Sequence, residues 1–64
     1  MVKVNGEPKN IASKTLAEYL AVASYDMKRS VTELNGEIVS KTAYADVVLK
    51  DGDCLEIVSF VGGG

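Results

Sequence analysis

Two segments of the chain alternate between apolar and polar residues, the pattern that is typical of β-strands. The first is short, Val2-Lys3-Val4, and the second, 54–61, is the longest strand that the sequence predicts. In the longer segment Leu55 and Ile57 lie on one side, which we expect to face the core. The other side carries Cys54, Glu56, Val58 and Phe60. Because both sides carry apolar residues, the segment is predicted to be a central strand.

Between these strands the apolar spacing changes to that of a helix. The run Thr15-Leu16-Ala17-Glu18 matches a capping box, in which the threonine hydroxyl accepts a hydrogen bond from the amide three residues on. An apolar stripe at i, i+3, i+4 and i+7 follows, formed by Leu16, Tyr19, Leu20 and Ala23. The sequence therefore predicts a helix that begins after Thr15, with an end left open beyond Ala23.

Two Asn-Gly dipeptides, Asn5-Gly6 and Asn35-Gly36, predict hairpin turns. This dipeptide favours the type I′ turn, because both central residues of that turn need a positive φ. The first turn is predicted to return through 7–12, where Pro8 favours a short edge strand. The second joins a strand at 31–34 to a returning strand at 37–39.

The order of elements, β-β-α-β-β, predicts an α+β fold of the β-grasp type. We expect a mixed sheet of four to five strands, with the last strand beside the first and one main helix across a face. A short turn or helical fragment is predicted at 41–45, with Tyr44 turned inward, and a tight turn at 50–53. The folded domain is expected to span 1–61, followed by a flexible tail at 62–64.

That tail ends the chain in three glycines, Gly62, Gly63 and Gly64, directly after Phe60-Val61. Glycine has no Cβ, so the tail can enter a slot that is too narrow for a side chain. At roughly 3.3 to 3.6 Å per residue, three extended glycines hold the Gly64 carboxylate about 10 Å beyond the last residue that can pack. The sequence favours a tail that presents its own carboxyl end, although glycine-rich ends are also common in linkers.

Composition and charge exclude some classes of function. The chain has 64 residues, of which 47% are hydrophobic and 25% charged, as expected for one small globular domain. Its net charge of -2 and dispersed lysines argue against nucleic acid and favour a partner with a basic groove. No membrane span or signal peptide is visible, so we expect a cytoplasmic protein.

Candidate catalytic and metal-binding residues are few. Cys54 is the only cysteine and the chain has no histidine. The usual zinc ligand sets and the Ser-His or Cys-His pairs of nucleophilic catalysis are therefore absent from the sequence. We expect no metal site, and we expect any chemistry at the chain to be catalysed by another protein.

A candidate docking patch lies on the outward side of the last strand. Val58 and Phe60 are expected to be partly exposed there, beside the acidic Glu56 and next to the tail. Exposed apolar side chains grouped in this way are typical of protein interaction sites. The alternative is that a loop or a neighbouring molecule covers them.

Four runs of residues occur along the chain in a specific order. They are Thr15-Leu16-Ala17-Glu18, then Leu34-Asn35-Gly36-Glu37-Ile38-Val39, then Leu49-Lys50-Asp51-Gly52-Asp53, and finally Glu56-Ile57-Val58 leading into Phe60-Val61-Gly62-Gly63-Gly64. In this order, over nearly the whole chain, they resemble the sulfur carriers of thiamine biosynthesis, the ThiS family. The resemblance implies a ubiquitin-like β-grasp fold.

The resemblance also implies a reaction cycle at Gly64. An E1-like adenylyltransferase (ThiF) would use ATP to adenylate the carboxylate, and sulfur from a donor such as a cysteine desulfurase would convert it to a thiocarboxylate. Thiazole synthase (ThiG) would then receive the sulfur. The carrier itself would bind no cofactor, and it would act as a protein cosubstrate rather than as an enzyme.

Two alternatives stay open at this point. The small subunit of molybdopterin synthase is similar and also ends in Gly-Gly, although its members tend to be longer. A β-grasp interaction module with an inert tail would belong to a different class, because its glycines would carry no chemistry.

Overall fold

A computed structural model describes residues 1–60 and leaves 61–64 outside the described part. The strands are β1 (Val2–Val4), β2 (Glu7–Lys9), β3 (Ser30–Leu34), β4 (Glu37–Ile38) and β5 (Cys54–Ser59), and the helix α1 is Leu16–Val22. Short 3₁₀ helices lie at Met27–Arg29 and Lys41–Ala43.

The five strands form one mixed sheet in the order β2-β1-β5-β3-β4. β1 and β5 are parallel, while the pairs β1–β2, β3–β4 and β3–β5 are antiparallel. The predicted central position of the last strand, beside the first, is confirmed. β5 therefore has a neighbouring strand on each side.

Both Asn-Gly turns adopt the predicted geometry. The φ angles are 50° at Asn5 and 87° at Gly6, and 52° at Asn35 and 87° at Gly36. The returning strands β2 and β4 are shorter than the predicted segments 7–12 and 37–39. β2 ends early because the chain turns so that Ile11 can enter the core, where it is only 9% exposed.

The capping box at the start of α1 is present as predicted. The Glu18 amide donates to the Thr15 hydroxyl at 3.1 Å, and the Thr15 amide donates to Glu18 Oε1 at 2.8 Å. These hydrogen bonds with Thr15 lower the pKa of Glu18. The next two helix amides are satisfied by the loop before β5, because Leu16 donates to Val47 O at 2.8 Å and Ala17 to Tyr44 O at 3.0 Å.

The helix ends in a Schellman motif. The Ser24 amide donates to Ala21 O at 3.3 Å and the Tyr25 amide to Leu20 O at 3.1 Å, with Ser24 at a φ of 62°. The prediction that Ala23 continues the buried stripe is wrong. Ala23 is the exposed C-cap residue, because the chain reverses at Ser24 before another turn can face the core.

One hydrophobic core joins α1, the inner side of the sheet and the loop that contains Tyr44. Its buried members are Val2, Val4, Ile11, Leu16, Tyr19, Leu20, Tyr44, Leu49, Leu55 and Ile57. The inward positions predicted for Leu55, Ile57 and Tyr44 are confirmed. Each large side chain that is removed from water contributes about 1.5 to 3 kcal/mol. Within residues 1–60, no helix has the length and apolar character needed to cross a membrane.

Candidate functional site

The candidate site is the end of β5, where the chain leaves the sheet. β5 ends at Ser59, which is opposite Ser30, the first residue of β3. Of the strand predicted over 54–61, the structure confirms Cys54–Ser59 and places Phe60 after its end, because β3 begins at Ser30; Val61 lies outside the described residues. The Phe60 amide still donates to Arg29 O at 2.6 Å, so the last described residue stays attached to the sheet.

The predicted reactive end, with Gly62, Gly63 and Gly64, lies outside the described residues. Its roles therefore stay predictions. The structure does fix the point from which those residues start, because Phe60 is hydrogen-bonded beside the first residues of β3.

The outward side of β5 carries the predicted docking residues together. Val58 and Phe60 are each 57% exposed, and Glu56 is exposed on the same side of the strand. The expected exposure is confirmed, and within the described part of the chain no loop covers them. They form an uncovered apolar surface with an acidic neighbour.

This surface extends onto neighbouring strands in a way that the sequence did not reveal. Val31 on β3 is opposite Val58, and Glu33 is opposite Glu56. On β4, Ile38 is opposite Glu33 and is 72% exposed. The exposed face therefore consists of three strands rather than one.

Asn5 holds β5 from the other side. The strand pairing of β1 with β5 ends at Val4 opposite Leu55, and the Asn5 amide makes a further main-chain hydrogen bond to Leu55 O at 2.8 Å. Further along β5, the Asn5 side chain makes the hydrogen bonds: its Nδ2 donates to Ile57 O at 3.2 Å, and the Ile57 amide donates to its Oδ1 at 2.8 Å. One side-chain amide thus satisfies both main-chain groups of Ile57, as a further residue of β1 would have done.

The side chain of Asn35 likewise forms hydrogen bonds at the start of β5. The Cys54 amide donates to Asn35 Oδ1 at 2.9 Å, and Asn35 Nδ2 donates to Asp53 Oδ1 at 3.1 Å. Asp53 also accepts from the Lys50 amide at 2.8 Å, which closes the preceding turn. Both hairpin asparagines therefore contact the central strand as well as shaping their own turns.

Replacing Asn5 is expected to loosen the second half of β5. Asn5→Gly keeps a residue that tolerates the positive φ but removes both hydrogen bonds to Ile57, so we expect the free energy of unfolding to fall by about 1 to 3 kcal/mol. Asn5→Ala should cost more, because it adds backbone strain at that φ. Denaturant unfolding measures the loss, and hydrogen exchange should show a faster Ile57 amide.

The control for this prediction is Asn10→Gly, at an exposed asparagine outside the strands and helices. It should leave the Ile57 amide unchanged. If Asn5→Gly proves as stable as the parent chain, the Asn5 side chain does not hold β5.

Within the part of the chain that the structure describes, Cys54 is exposed, and no three His, Cys, Asp or Glu residues are grouped so that they could hold a metal ion. No enclosed pocket lies among these residues. Among the described residues, the candidate site is therefore an open face at the end of β5.

A mixed sheet in this strand order, crossed by one helix, places the chain in the class of ubiquitin-like β-grasp domains. Comparison with known proteins gives the family. The model of the ThiS family matches residues 2–64, and the chain therefore belongs to the ThiS family.

Individual relatives agree with this assignment. The sulfur carrier protein ThiS of Thermus thermophilus is 38% identical over the full length of both chains. A thiazole synthase of Paramagnetospirillum magneticum is 47% identical over 62 residues, which are 95% of this chain and 19% of the synthase, so the chain spans about a fifth of that relative. The crystal structure of a ThiS protein from Geobacter metallireducens superposes with a TM-score of 0.80 at 33% identity, covering 98% of this chain and 97% of that one.

Proposed function

We propose that this chain carries sulfur, as a thiocarboxylate on Gly64, for biosynthesis of the thiamine thiazole. The observation that carries the proposal is the match to the sulfur carrier of Thermus thermophilus, which spans both chains completely. The chain acts as a cosubstrate that other enzymes charge and discharge.

Activation is needed because the terminal carboxylate is a poor electrophile. An α-carboxyl group has a pKa of about 3.3 to 3.7, so it is ionised at neutral pH. In the proposed first step a carboxylate oxygen of Gly64 attacks the α-phosphorus of ATP, pyrophosphate leaves, and an acyl-adenylate forms. The ATP belongs to an E1-like adenylyltransferase of the ThiF type, and the carrier holds no cofactor of its own.

Sulfur then replaces the adenylate. A persulfide supplied by a cysteine desulfurase is the proposed sulfur source; its terminal sulfur displaces AMP from the Gly64 carbonyl, and reductive cleavage of the S–S bond by a thiol leaves the thiocarboxylate. Thiazole synthase of the ThiG type takes this sulfur: the C–S bond at Gly64 breaks, and an oxygen from water or from the sulfur acceptor bonds to the same carbon, which regenerates the carboxylate. The partnership is supported by the thiazole synthase that carries a segment 47% identical to this chain.

The chain beyond Phe60 sets how far the reactive end can reach. Four residues remain, Val61 to Gly64. At roughly 3.3 to 3.6 Å per residue, they extend at most about 14 Å. An enzyme that acts on Gly64 must therefore come close to the end of β5, and the exposed side of that strand is the nearest folded surface.

The folded face must also supply most of the affinity. Fixing the backbone of one residue costs roughly 1 to 2 kcal/mol, and the glycines 62–64 have no side chains to offset that cost when a partner holds them. We assign docking on the activating enzyme to Val58 and Phe60, with Glu56 beside them. Both apolar side chains are 57% exposed and available for contact.

The alternatives raised by the sequence are less well supported. The reported relatives are thiamine sulfur carriers and a thiazole synthase, which disfavours the small subunit of molybdopterin synthase. An interaction module with an inert tail would show no dependence on the chemistry of Gly64.

Intact-mass spectrometry tests the proposed charging directly. After incubation with a ThiF-type enzyme, ATP, a cysteine desulfurase, cysteine and a thiol reductant, the chain should gain the mass difference between sulfur and oxygen. The shift should map to the C-terminal peptide and should disappear without ATP. An unchanged mass, under conditions that charge the Thermus thermophilus carrier, would contradict the proposal.

A further inference from the structure

The charge on the outward side of β3 and β5 changes from one end of the strands to the other. Strand register defines two rows, Glu33 opposite Glu56 and Val31 opposite Val58. Continuing the same register places Arg29 opposite Phe60, and the hydrogen bond from the Phe60 amide to Arg29 O agrees with this pairing. Along β5 the face is therefore first acidic, at Glu33 and Glu56, and then apolar, at Val31 and Val58. It ends in a basic residue, Arg29, beside the aromatic Phe60.

The acidic row is unfavourable in the isolated chain. Two like charges directly opposite each other on neighbouring strands destabilise a sheet. Within residues 1–60 neither carboxylate of the row has a cationic partner, since the ion pairs there are Met1 with Asp51, Lys9 with Glu7, and Arg29 with Asp26. The residue opposite Glu33 on its other side is Ile38, which offers no charge.

The apolar part of the face is uncovered. Val58 and Phe60 are each 57% exposed and Ile38 is 72% exposed, whereas the inner positions Leu55 and Ile57 of the same strand are 1% and 6% exposed. On β1, Lys3 lies on the same side of the sheet beside Cys54, diagonal to Glu56, but it forms no ion pair with Glu33 or Glu56 among the described residues. The charge of the acidic row is therefore left for a group outside the chain to compensate. A cationic side chain of a partner, surrounded by apolar residues, would compensate the acidic row and cover the apolar side chains.

We propose that this face receives the activating enzyme through one cationic side chain, placed between Glu33 and Glu56, with apolar contacts on Val31 and Val58. The inference rests on the proposed function and adds the chemistry of the partner surface. An arginine fits best, because its planar guanidinium has five N–H donors and can bond to two carboxylates at once.

The basic end of the face fixes the orientation of docking. Arg29 is beside Phe60 at the tail end of β5, while the acidic row is at the opposite end. A partner turned around would bring its cation against Arg29, whose only ion pair among the described residues is a long, exposed one with Asp26 at 3.9 Å, and the juxtaposition of like charges disfavours that arrangement. Only one orientation therefore directs the tail toward the enzyme's active site.

The test uses the full chain with either carboxylate made neutral. Glu33→Gln and Glu56→Gln should each raise the KM for the carrier in ATP–pyrophosphate exchange by roughly tenfold with little change in kcat, because an interaction made equally before and during reaction is lost. Relief of the repulsion should raise the thermal midpoint of the isolated chain by about 1 to 5 °C. If the two carboxylates had a purely structural role, neutralising them would not raise the thermal midpoint and weaken binding at the same time.

The matched control is Glu37→Gln, an exposed carboxylate on β4 that is opposite Leu34 rather than in the acidic row. It should change neither the KM nor the midpoint. The KM of the parent chain should rise with salt concentration, and that of the Glu33→Gln, Glu56→Gln double variant should rise much less.

Failure of this inference differs from failure of the proposed function. If the parent chain supports exchange and both Gln variants keep its KM, the acidic row does not bind the enzyme. If the parent chain supports no exchange at all, the proposed function itself is wrong.

Discussion

Conversion of the Gly64 carboxylate to an amide is expected to abolish ATP-dependent activation of the chain. A neutral amide has no anionic oxygen to attack the α-phosphorus of ATP, so pyrophosphate exchange should fall to the level seen without carrier. Deletion of Gly64 should have a similar effect, because it moves the terminal carboxylate back by about 3.5 Å and a misplacement of 1 Å already costs roughly 100-fold in rate.

The control for this prediction is binding. The fold should be unchanged, since the sheet and the core that the structure describes are built from residues within 1–60. The amidated chain should therefore still compete with the unmodified chain for the activating enzyme. Thiazole formation that continues undiminished with the amide would contradict the carrier function, and it would favour an interaction module with an inert tail.

The local features of the fold could be predicted from the sequence because their causes lie within a few residues. The two Asn-Gly turns follow from the positive φ that both turn positions require, and the helix start follows from the spacing of Thr15 and Glu18. The inner side of β5 was recognisable because Leu55 and Ile57 alternate with polar or exposed positions. These signals need no knowledge of which strands are neighbours.

The arrangement of the candidate site depends on neighbours and could not be predicted in the same way. Asn5 contacts Ile57, 52 positions away, and a pattern of local residues does not specify such a pair. The pairing of Glu33 with Glu56 likewise depends on the register of β3 against β5, and a shift by one residue would turn the row to the other face. Sequence reasoning thus predicted Glu56 as a docking residue but gave no sign that Glu33 lies opposite it.

The end of the helix shows a second kind of limit. The apolar spacing continues to Ala23, although the structure ends the helix before it and leaves Ala23 exposed. Alanine tolerates both environments, so its presence in a stripe is weak evidence of burial. The Schellman motif with Ser24 at its centre decides where the helix stops, and serine is less diagnostic there than glycine would be.

Replacing both exposed apolar residues of β5 is expected to give a large loss of binding with little loss of stability. Val58→Ser with Phe60→Ser removes two anchors that would be buried against the activating enzyme. Interface anchors of this kind cost about 1 to 2 kcal/mol each or more, so the KM for the carrier should rise on the order of 100-fold. ATP–pyrophosphate exchange measures the change, and denaturant unfolding should show a nearly unchanged midpoint because both residues are 57% exposed.

Val22→Ser is the matched control, because Val22 is 78% exposed but belongs to α1 rather than to the sheet face. It should leave the KM unchanged, which separates loss of the docking surface from a general loss of exposed apolar area. The effect of the double Ser variant should also persist at high salt, since apolar contacts are not screened, whereas the effect of neutralising Glu33 or Glu56 should shrink. An unchanged KM in the double variant would place the docking surface elsewhere on the chain.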